Sequence, residues 1–558
     1  MKSKIILIII LVLAAFLRLY RLSDFPAGFN ADEAALGYNA YSLMTTGRDE
    51  HGHPWPVNLE SFGDFKPALY AYILIPFIKV FGLTEFAVRL PSALAGILSV
   101  YLLYLLVINL SPGPFSGQRH DQRENSGEGN QRGEVTNTWG LLSALLLAIS
   151  PWHLHFSRGA WEVNLASTFI LIGLYNFLLY LKNNKFINFQ LSTINFALSL
   201  YTYQSSRIIA PLLGLGLFLL YLKPFIRHPK HIITTFLTLT LTLTPLFISV
   251  VGSDAASRFS GVGFTSDPGP INRINELRGQ HPGGVSAVLS KLLHNKPVIY
   301  TIQFAKNYLS HFDGNFLFVN GDTIARNKVP ETGLLYLTDV ILLFFGIIYL
   351  LRHPGLNAKI IWLWLLLAPV AASLTFQVPH ALRAQMMVYP LIIICALGLY
   401  NLRKLVPIAY CLTILLMFWQ ISRYLHEYYV HYPQTYPAAW EYGFKEMVSY
   451  VNSVKDRYEK IIITDFYDQP YILYLFYSRY PPQGFQGQHQ LTVRDIYNFS
   501  TVRSFSKFEF TSTPWEKVRD IHSSLIVAAP DDIPAVGVHV VKTIYFPNNQ
   551  PAFKIISN

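Results

Sequence analysis

The chain has 558 residues, of which 52% are hydrophobic and 14% are charged, and its mean hydropathy is +0.31. Soluble globular domains carry about 25% charged residues, so this composition excludes that class. The net charge of +11 fits Lys and Arg retained in cytoplasmic loops of a membrane protein, and nucleic acid is not an expected partner.

Apolar segments recur along the chain, and each is long enough to cross a hydrocarbon core of about 30 Å as a helix. They predict a mainly α, polytopic membrane protein with eleven transmembrane spans, at residues 4–21, 86–108, 138–156, 161–181, 187–204, 208–224, 232–251, 333–351, 359–376, 386–401 and 405–423. The first segment resembles a signal peptide. Because it runs into Arg18 and Arg21 without a small-residue cleavage pattern, we interpret it as an uncleaved span.

Positive charge is distributed unevenly between the short connecting segments. Those on the side of the N-terminus carry at least two cations each: Lys2 and Lys4; Lys182 and Lys185; Lys223, Arg227 and Lys230; Arg352 and Lys359; Arg403 and Lys404. The short turns on the other side carry one each, at Arg158, Arg207 and Arg383. This bias predicts a cell-membrane protein with a cytoplasmic N-terminus and an extracytoplasmic C-terminus.

Residues 1–424 therefore form a predicted transmembrane domain that contains three regions outside the spans. Residues 22–85 form a first outer loop, in which "KPALYAYILIPFIKVFG" is a predicted juxtamembrane helix. Residues 110–136 are polar and Gly-rich, which predicts a disordered cytoplasmic insert. Residues 252–332 form a second large outer loop, in which "AVLSKLLHNKPVIYTIQFAKNYLSHF" has an amphipathic helical pattern.

Residues 425–558 have the composition of a soluble domain. The stretch "AAWEYGFKEMVSYVNSVK" has helical periodicity, and the strand-like runs "KIIITDF", "SLIVAAP", "HVVKTIYF" and "AFKIIS" follow it. This pattern predicts a small extracytoplasmic α/β domain.

Charged side chains capable of chemistry converge on the predicted outer face. Asp32 and Glu33 begin the first outer loop, Lys66 follows in the same loop, and the single arginines occupy the short outer turns. A carboxylate can take a proton from an attacking hydroxyl. Lys and Arg can hold a phosphate by charge-assisted hydrogen bonds. A carboxylate beside a phosphate site, at the depth of lipid headgroups, suits a sugar carried on polyprenyl phosphate.

The leaving group explains why one catalytic carboxylate is enough for such a substrate. Glycosidases need a second carboxyl group as an acid because a sugar alkoxide leaves poorly. A phosphate leaves as an anion, so cations replace the acid.

Three stretches resemble the first outer loop and second span of GT-C glycosyltransferases: "FNADEAALGYNAYSLMTTGRDEHG", "FGDFKPALYAYILIPFIKVFG" and "EFAVRLPSALAGIL". The resemblance is closer to the bacterial branch, family 39, which is related to protein O-mannosyltransferases and lipid A aminoarabinose transferases. The resemblance is most specific over residues 1–110. The remaining spans, the C-terminal domain and the short outer turns that carry Arg158, Arg207 and Arg383 match more loosely.

The resemblance implies an inverting glycosyltransferase that uses a polyprenyl-phosphate-linked sugar and an extracytoplasmic protein, lipid or glycan acceptor. It implies that Asp32 is the general base, with Glu33 on the neighbouring position, and that Lys66 contacts the lipid phosphate. Further implied site residues are Arg383 at the phosphate and, by a weaker match, Arg158 and Glu162. Relatives usually have two prolines after the lysine, whereas here Pro67 is followed by Ala68.

Structural interpretations compete with these assignments. Asn30 or Asp32 could simply cap the helix "EAALGYNAYSLM", and Glu33 could be a structural support instead of a site residue. Arg89 is either an interfacial anchor of the second span or a site residue, and Arg207 either caps its turn or binds substrate.

Asp64 could pair with Lys66 or lie at the surface, whereas His380, beside Arg383, is interpreted as structural.

A second acidic pair, Asp49 and Glu50, lies beside His51 and His53. These four residues could bind a divalent metal, although a solvated turn is favoured by the loop composition. Both cysteines, Cys395 and Cys411, fall inside predicted spans, which excludes a Cys-rich metal site.

Two other classes of function compete with the transferase. A transporter or flippase would place ionisable residues at mid-membrane and often show repeated halves, whereas here these residues lie at span ends and no repeat is evident. A noncatalytic assembly protein would leave Lys66 and the arginines of the short outer turns without a role.

Overall fold

A computed structural model describes residues 2–110, 127–252, 263, 267–281, 287–495, 500–534 and 536–558. Among the described residues of the first half, the regular elements are helices and one hairpin. Its helices are α1 Lys2–Leu19, α2 Ala31–Thr46, α3 Leu69–Phe81, α4 Glu85–Leu110, α5 Gly127–Ile149, α6 Pro151–Phe156, α7 Glu162–Asn183, α8 Phe186–Leu200, α9 Ser206–Leu220, α10 Leu222–Arg227 and α11 Pro229–Gly252.

The second half begins with further helices and ends in a sheet domain. The helices before the C-terminal domain are α12 Gly269–Gly279, α13 Ala287–Leu293, α14 Lys296–Ser310, α15 Thr338–Arg352, α16 Leu356–Leu367, α17 Val370–Ser373, α18 Val388–Leu405, α19 Pro407–His426 and α20 Tyr432–Thr435. The protein is therefore mainly α, as the composition predicts.

Every predicted span overlaps a helix of the structure. Among the described residues, five helices are long and apolar enough to cross a membrane: Glu85–Leu110, Glu162–Asn183, Pro229–Ser249, Gln385–Leu405 and Pro407–Thr435. Shorter apolar helices accompany them, at Leu69–Phe81, Glu134–Ile149, Ser206–Leu220 and Asn357–Ser373. The total of eleven spans, and the orientation, stay predictions.

The apolar helices differ in what surrounds them. Helices α7 and α18 are largely buried between other helices, whereas α11 and α19 present large apolar side chains outward, including Leu241 at 79% and Ile408 at 77% exposure. Outward apolar side chains cost little when the solvent is hydrocarbon, as it is for a span.

Two glycines allow α15 and α18 to pack closely. A Cβ atom built at Gly398 would overlap the carbonyl oxygen of Leu342, and one at Gly346 would overlap that of Ile394. Small residues at such crossings let backbones approach where the hydrophobic effect gives no net attraction between helices.

The first outer loop contains α2, a hairpin and α3. Asn30 caps α2: its side chain accepts the N–H of Glu33, whose carboxylate accepts the Asn30 N–H in return. Gly47 ends the helix in the left-handed conformation, with φ +69°. Strands β1 Asn58–Ser61 and β2 Asp64–Pro67 pair antiparallel, with Leu59 opposite Lys66. The predicted juxtamembrane helix is α3.

The C-terminal domain is an α/β unit with a mixed sheet. Its helices are α21 Phe444–Val454, α22 Pro470–Ser478, α23 Pro482–Gln488 and α24 Trp515–Val518. Its strands are β3 Lys460–Ile463, β4 Gln490–Leu491, β5 Val502–Phe505, β6 Phe508–Phe510, β7 Ser524–Ala528, β8 Val540–Tyr545 and β9 Pro551–Ser557. The order is β4-β5-β6-β3-β7-β9-β8, and β3 runs parallel to both β6 and β7.

The C-terminal domain shares one hydrophobic core with the first outer loop. Buried residues of α2 and α3 belong to the same cluster as residues of α21, α22 and the sheet; Phe29, for example, contacts Phe476 at 4.6 Å between ring centroids. The boundary at residue 425 stays a prediction, but the domain is packed onto the loop that carries Asp32.

Some elements differ from the sequence-based expectations. The expected insert at 110–136 falls largely on residues 111–126, which lie outside the described residues, while 127–136 belong to α5. The amphipathic stretch of the second outer loop forms two helices, α13 and α14, because Asn295 caps a new helix start before Pro297. Strands β4 to β6 were not expected, since they are short and lack a clear alternation.

We expect Gly398→Leu to destabilise the protein, because the added side chain must push α15 and α18 apart. Overpacking of this kind typically costs about 1–3 kcal/mol. Thermal unfolding in detergent should show a lower Tm, whereas Gly214→Leu, where nothing lies within 4 Å of the built Cβ atom, should not. Equal Tm values for the two variants would contradict the close crossing.

Candidate active site

A cavity of about 180 Å³ collects charged side chains from distant parts of the chain. Four of the residues singled out in the sequence line it: Asp32, Lys66, Glu162 and Arg383. It is also lined by residues that the sequence analysis did not select, namely Arg326 and Asn327, and by His380. The cavity is thus formed jointly by the first outer loop, the start of α7 and the second half of the chain.

Asp32 occupies the first turn of α2 and directs its carboxylate into this cavity. The side chain is 32% exposed, forms an ion pair with the Lys66 ammonium and lies 3.7 Å from the Arg326 guanidinium, from Oδ2 to Nη2. The helix N-terminus also favours a negative charge at this position. Asp32 is therefore accessible and held by two cations.

Lys66 reaches Asp32 from β2. Its ammonium lies over the Phe62 ring, 4.6 Å from the centroid. Burial acts to lower the pKa of Lys66, but Asp32, Glu162 and Asp64 outweigh it and leave that pKa raised. The lysine is thus a permanent cation in a largely enclosed position.

Arg326 is the main site residue that sequence reasoning missed. It belongs to the short turn Ala325–Asn327, in a loop without helical or strand periodicity. Burial acts to lower the pKa of its guanidinium, and Asp32, Glu441 and Asp468 raise it above the usual value. In the sequence, Arg326 is one of four arginines in the predicted outer loop 252–332, with Arg258, Arg273 and Arg278, and nothing in the local pattern distinguishes it from them.

Asp322 fixes the turn of Arg326 against the turn of Arg383. One carboxylate oxygen accepts the Ile324 N–H at 2.9 Å, and the other accepts Asn327 Nδ2–H at 3.0 Å and the Ala381 N–H at 2.6 Å. Two cations from segments 57 positions apart are thereby brought to one cavity wall.

Two carboxyl groups of the C-terminal segment interact electrostatically with Asp32 and Arg326. Asp468 follows β3, and its pKa is raised by burial and by Asp32, which Arg326 partly offsets. Glu441 is fully buried, and burial raises its pKa well above the ordinary value, with Arg326 opposing. The cavity therefore has several acids and several cations within mutual electrostatic reach.

Glu33 does not line the cavity, although it adjoins Asp32. Its carboxylate receives a bidentate ion pair from Arg89, with both N–O distances at 2.9 Å, and the Ala160 N–H at 2.9 Å. Arg89 also donates to the carbonyls of Leu22, Pro26 and Gly28. The pair ties the start of α2 to α4 and to the turn before α7.

Arg158 and Arg207 also lie outside the cavity lining. Arg158 donates to the carbonyls of Leu17 and Tyr20 and to the Tyr428 hydroxyl, at 2.7, 2.8 and 3.1 Å. Arg207 donates to the side-chain oxygens of Asn58 at 2.6 Å and Gln204 at 2.8 Å. Gln204 lines the cavity, so Arg207 contacts a lining residue without lining the cavity itself.

The second acidic pair is engaged in local hydrogen bonds. Asp49 accepts the N–H groups of His51 and His53 at 3.0 and 2.8 Å, and Glu50 accepts the Ser61 hydroxyl at 3.0 Å. Within the described ranges, no group of three His, Cys, Asp or Glu side chains is placed to hold a metal ion. Burial, before other causes, raises the pKa of Glu50 to about 8.

No protein-family model and no curated protein matches the chain. Solved structures do match it. ArnT from Cupriavidus metallidurans bound to undecaprenyl phosphate is 10% identical, with a TM-score of 0.53 over 99% of this chain and 97% of that chain. The chain has the GT-C fold.

Two further GT-C proteins match with TM-scores below 0.5. The oligosaccharyltransferase AglB from Archaeoglobus fulgidus, in complex with an inhibitory peptide and a dolichol-phosphate, is 12% identical over 85% of this chain and 63% of that chain, with a TM-score of 0.46. EmbB, an arabinosyltransferase from Mycobacterium smegmatis, is 14% identical over 71% of this chain and 41% of that chain, with a TM-score of 0.33.

The GT-C fold confirms the predicted fold class, and together with the five long apolar helices among the described residues it supports a membrane protein. The bacterial branch named from the sequence stays a prediction.

The Glu33–Arg89 pair should be essential for stability of this GT-C fold. We expect Glu33→Gln and Arg89→Met each to lower the free energy of unfolding by about 3–5 kcal/mol, because each leaves a buried charge without its partner. In denaturant unfolding, the double variant should lose less free energy of unfolding than the sum of the losses in the two single variants. Full additivity would contradict a direct pair.

Glu50 should make stability depend on pH. Its pKa is about 8 in the folded protein against a usual 4.5, so the folded state holds a proton that the unfolded state releases. The free energy of unfolding should therefore fall as pH rises from 4.5 to about 8. Tm measured across this range should fall less for Glu50→Gln than for the parent protein, whereas the exposed control Asp520→Asn should follow the parent.

Proposed function

We propose that this protein is an inverting membrane glycosyltransferase that moves a sugar from a polyprenyl-phosphate donor to an extracytoplasmic acceptor. One observation carries the proposal: a partly exposed carboxylate, Asp32, shares a small cavity with Lys66, Arg326 and Arg383. The GT-C fold supports it, since the similar ArnT structure is bound to undecaprenyl phosphate.

The proposed reaction is a single displacement. The oxygen of an acceptor hydroxyl forms a bond to the anomeric carbon while the bond from that carbon to the donor phosphate oxygen breaks. The bonding electron pair leaves with the polyprenyl phosphate, and the hydroxyl proton passes to Asp32. Attack and departure occur on opposite faces of the sugar, so the anomeric configuration inverts.

The cations serve the leaving group in this scheme. Phosphate oxygens gain negative charge as the bond breaks, and Lys66, Arg326 and Arg383 lie on the cavity walls where that charge develops. A bound phosphate also competes with Asp32 for Lys66 and Arg326, because both cations pair with Asp32 in the described geometry. Donor binding then leaves Asp32 a stronger proton acceptor.

The remaining predicted site residues act indirectly in the proposal. Glu33 and Arg89 hold the first turn of α2 in place, and Arg207 orients Gln204. Arg158 links α1 to α19 and its π-helical continuation Glu427–His431 through backbone carbonyls and Tyr428. Glu162 lines the cavity and supports the charge of Lys66.

Asp32→Asn tests the base. We expect transfer from a labelled polyprenyl-phosphate sugar to a cell-envelope fraction to fall by about 10²–10⁴-fold, because proton removal from the acceptor is lost. Polyprenyl phosphate binding should be retained. The control Asp520→Asn removes an exposed carboxylate, 83% accessible, and should keep full transfer. Full transfer by Asp32→Asn would remove Asp32 from this role.

Lys66→Met and Arg326→Met test the phosphate site. Each removes a charge-assisted hydrogen bond worth about 1.5–3 kcal/mol, so polyprenyl phosphate should bind at least about tenfold more weakly. Calorimetry with the purified proteins should show this loss, whereas the exposed control Arg519→Met should bind like the parent protein. Unchanged affinity in both site variants would place the lipid phosphate elsewhere.

A further inference from the structure

A second and larger cavity lies near the candidate active site. Its volume is about 660 Å³, within the range of about 300–1,000 Å³ typical of small-molecule sites. One wall is the segment between α1 and α2, and the other is the segment that leads into α21. The mechanism proposed above does not use this cavity.

The two walls are joined at their base. The Phe29 N–H donates to the Trp440 carbonyl at 2.7 Å, and a Cβ atom at Gly28 would overlap the same carbonyl. At the rim, the Lys445 ammonium pairs with the Glu85 carboxylate at 2.8 Å. The cavity is therefore a defined space between fixed segments.

Among the described acids that line the cavity, Glu441 is the one that forms no ion pair. Asp24 pairs with Arg21 at 3.0 Å, Glu85 with Lys445, and Glu446 with Lys542 at 2.9 Å. Glu441 is only 4% exposed, and its Oε2 atom has no hydrogen-bond partner among the described residues. Buried carboxyl oxygens normally have a donor, and the described residues supply none to this oxygen, so it can accept a hydrogen bond from a bound molecule.

The backbone of Glu441 is also strained. Its φ is +45°, in the left-handed region that non-glycine residues rarely adopt. Glu441 lines the larger cavity, and Arg326, Asp468 and Asp32, which surround or line the smaller one, act electrostatically on its carboxyl group. A ligand held by Glu441 would lie beside the charges around the proposed base.

We propose that the larger cavity binds the acceptor as a neutral, hydroxyl-bearing end of a glycan, and that Glu441 accepts a hydrogen bond from one of its hydroxyl groups. This inference rests on the proposed transferase function, because it assigns the acceptor side of the same reaction. Glu441 is a binding residue in this scheme, and Asp32 takes the proton of the hydroxyl that reacts.

The lining favours this class of acceptor over others. The two cations of the described lining, Arg21 and Lys445, are already paired with Asp24 and Glu85, so the cavity offers no unpaired cation to an anionic acceptor. A sugar supplies the hydroxyl donor that Glu441 lacks. The rings of Phe25, Tyr442 and Tyr477 provide apolar faces for the C–H side of a sugar ring.

Calorimetry on the full-length protein in nanodiscs tests the site without relying on catalysis. The probes are neutral oligosaccharides of about two to four sugars, phosphorylated oligosaccharides of the same length, and a Ser/Thr-containing peptide of comparable size. We expect the neutral oligosaccharides to bind, and Glu441→Gln to weaken this binding by about fivefold, as for the loss of one neutral hydrogen bond. The exposed control Asp520→Asn, outside the lining of both cavities, should bind like the parent protein, and polyprenyl phosphate affinity should stay unchanged in both variants.

The remaining outcomes separate this inference from the function it rests on. Equal oligosaccharide affinity in Glu441→Gln and the parent protein, binding of the peptide instead, or no oligosaccharide binding would overturn the acceptor site. Oligosaccharide binding that depends on Glu441 would uphold the site. If Asp32→Asn then keeps full transfer, the assigned base is wrong while the glycan site remains.

Discussion

The buried pair of Glu33 and Arg89 is the interaction on which the arrangement of the site depends. It joins the first turn of α2 to α4 by two hydrogen bonds, and the Ala160 N–H brings the turn before α7 to the same carboxylate. A buried pair of this kind does not need to add net stability, because desolvation offsets the attraction. Its effect is positional: it holds the first turn of α2 in the place where the neighbouring Asp32 lines the cavity.

The C-terminal domain contributes to the site as well as covering the first outer loop. Its core is continuous with α2 and α3, so the loop that carries Asp32 and Lys66 is packed on both the membrane helices and the sheet. Glu441 and Asp468 bring negative charge toward Arg326 from this side. The balance of charge in the cavity is therefore set by three parts of the chain, which suits a reaction that separates charge between a base and a departing phosphate.

Sequence patterns predicted local elements well where periodicity or capping chemistry was strong. The helix after Asn30 and the long apolar helices are of this kind, because their signals lie within a few turns of chain. The short strands β4 to β6 and the break before Asn295 were missed, since short elements carry little periodicity. Among the site residues, Arg326 gave no local signal, and its position comes from Asp322 bonding two distant turns. Arg158 and Arg207, in contrast, have the expected charge and lie in predicted outer turns, but backbone carbonyls and amide side chains engage their guanidinium groups.

By itself, the sequence determined that this is a mainly α membrane protein with a small α/β domain at its end, and that charged residues gather at the ends of apolar segments. Composition and hydrophobic periodicity suffice for this, because the bilayer requires the same backbone solution of every spanning segment. Only the tertiary structure decided which carboxylate and which cations share a cavity. That choice depends on contacts between residues hundreds of positions apart, such as Asp32 with Arg326, for which no local pattern exists.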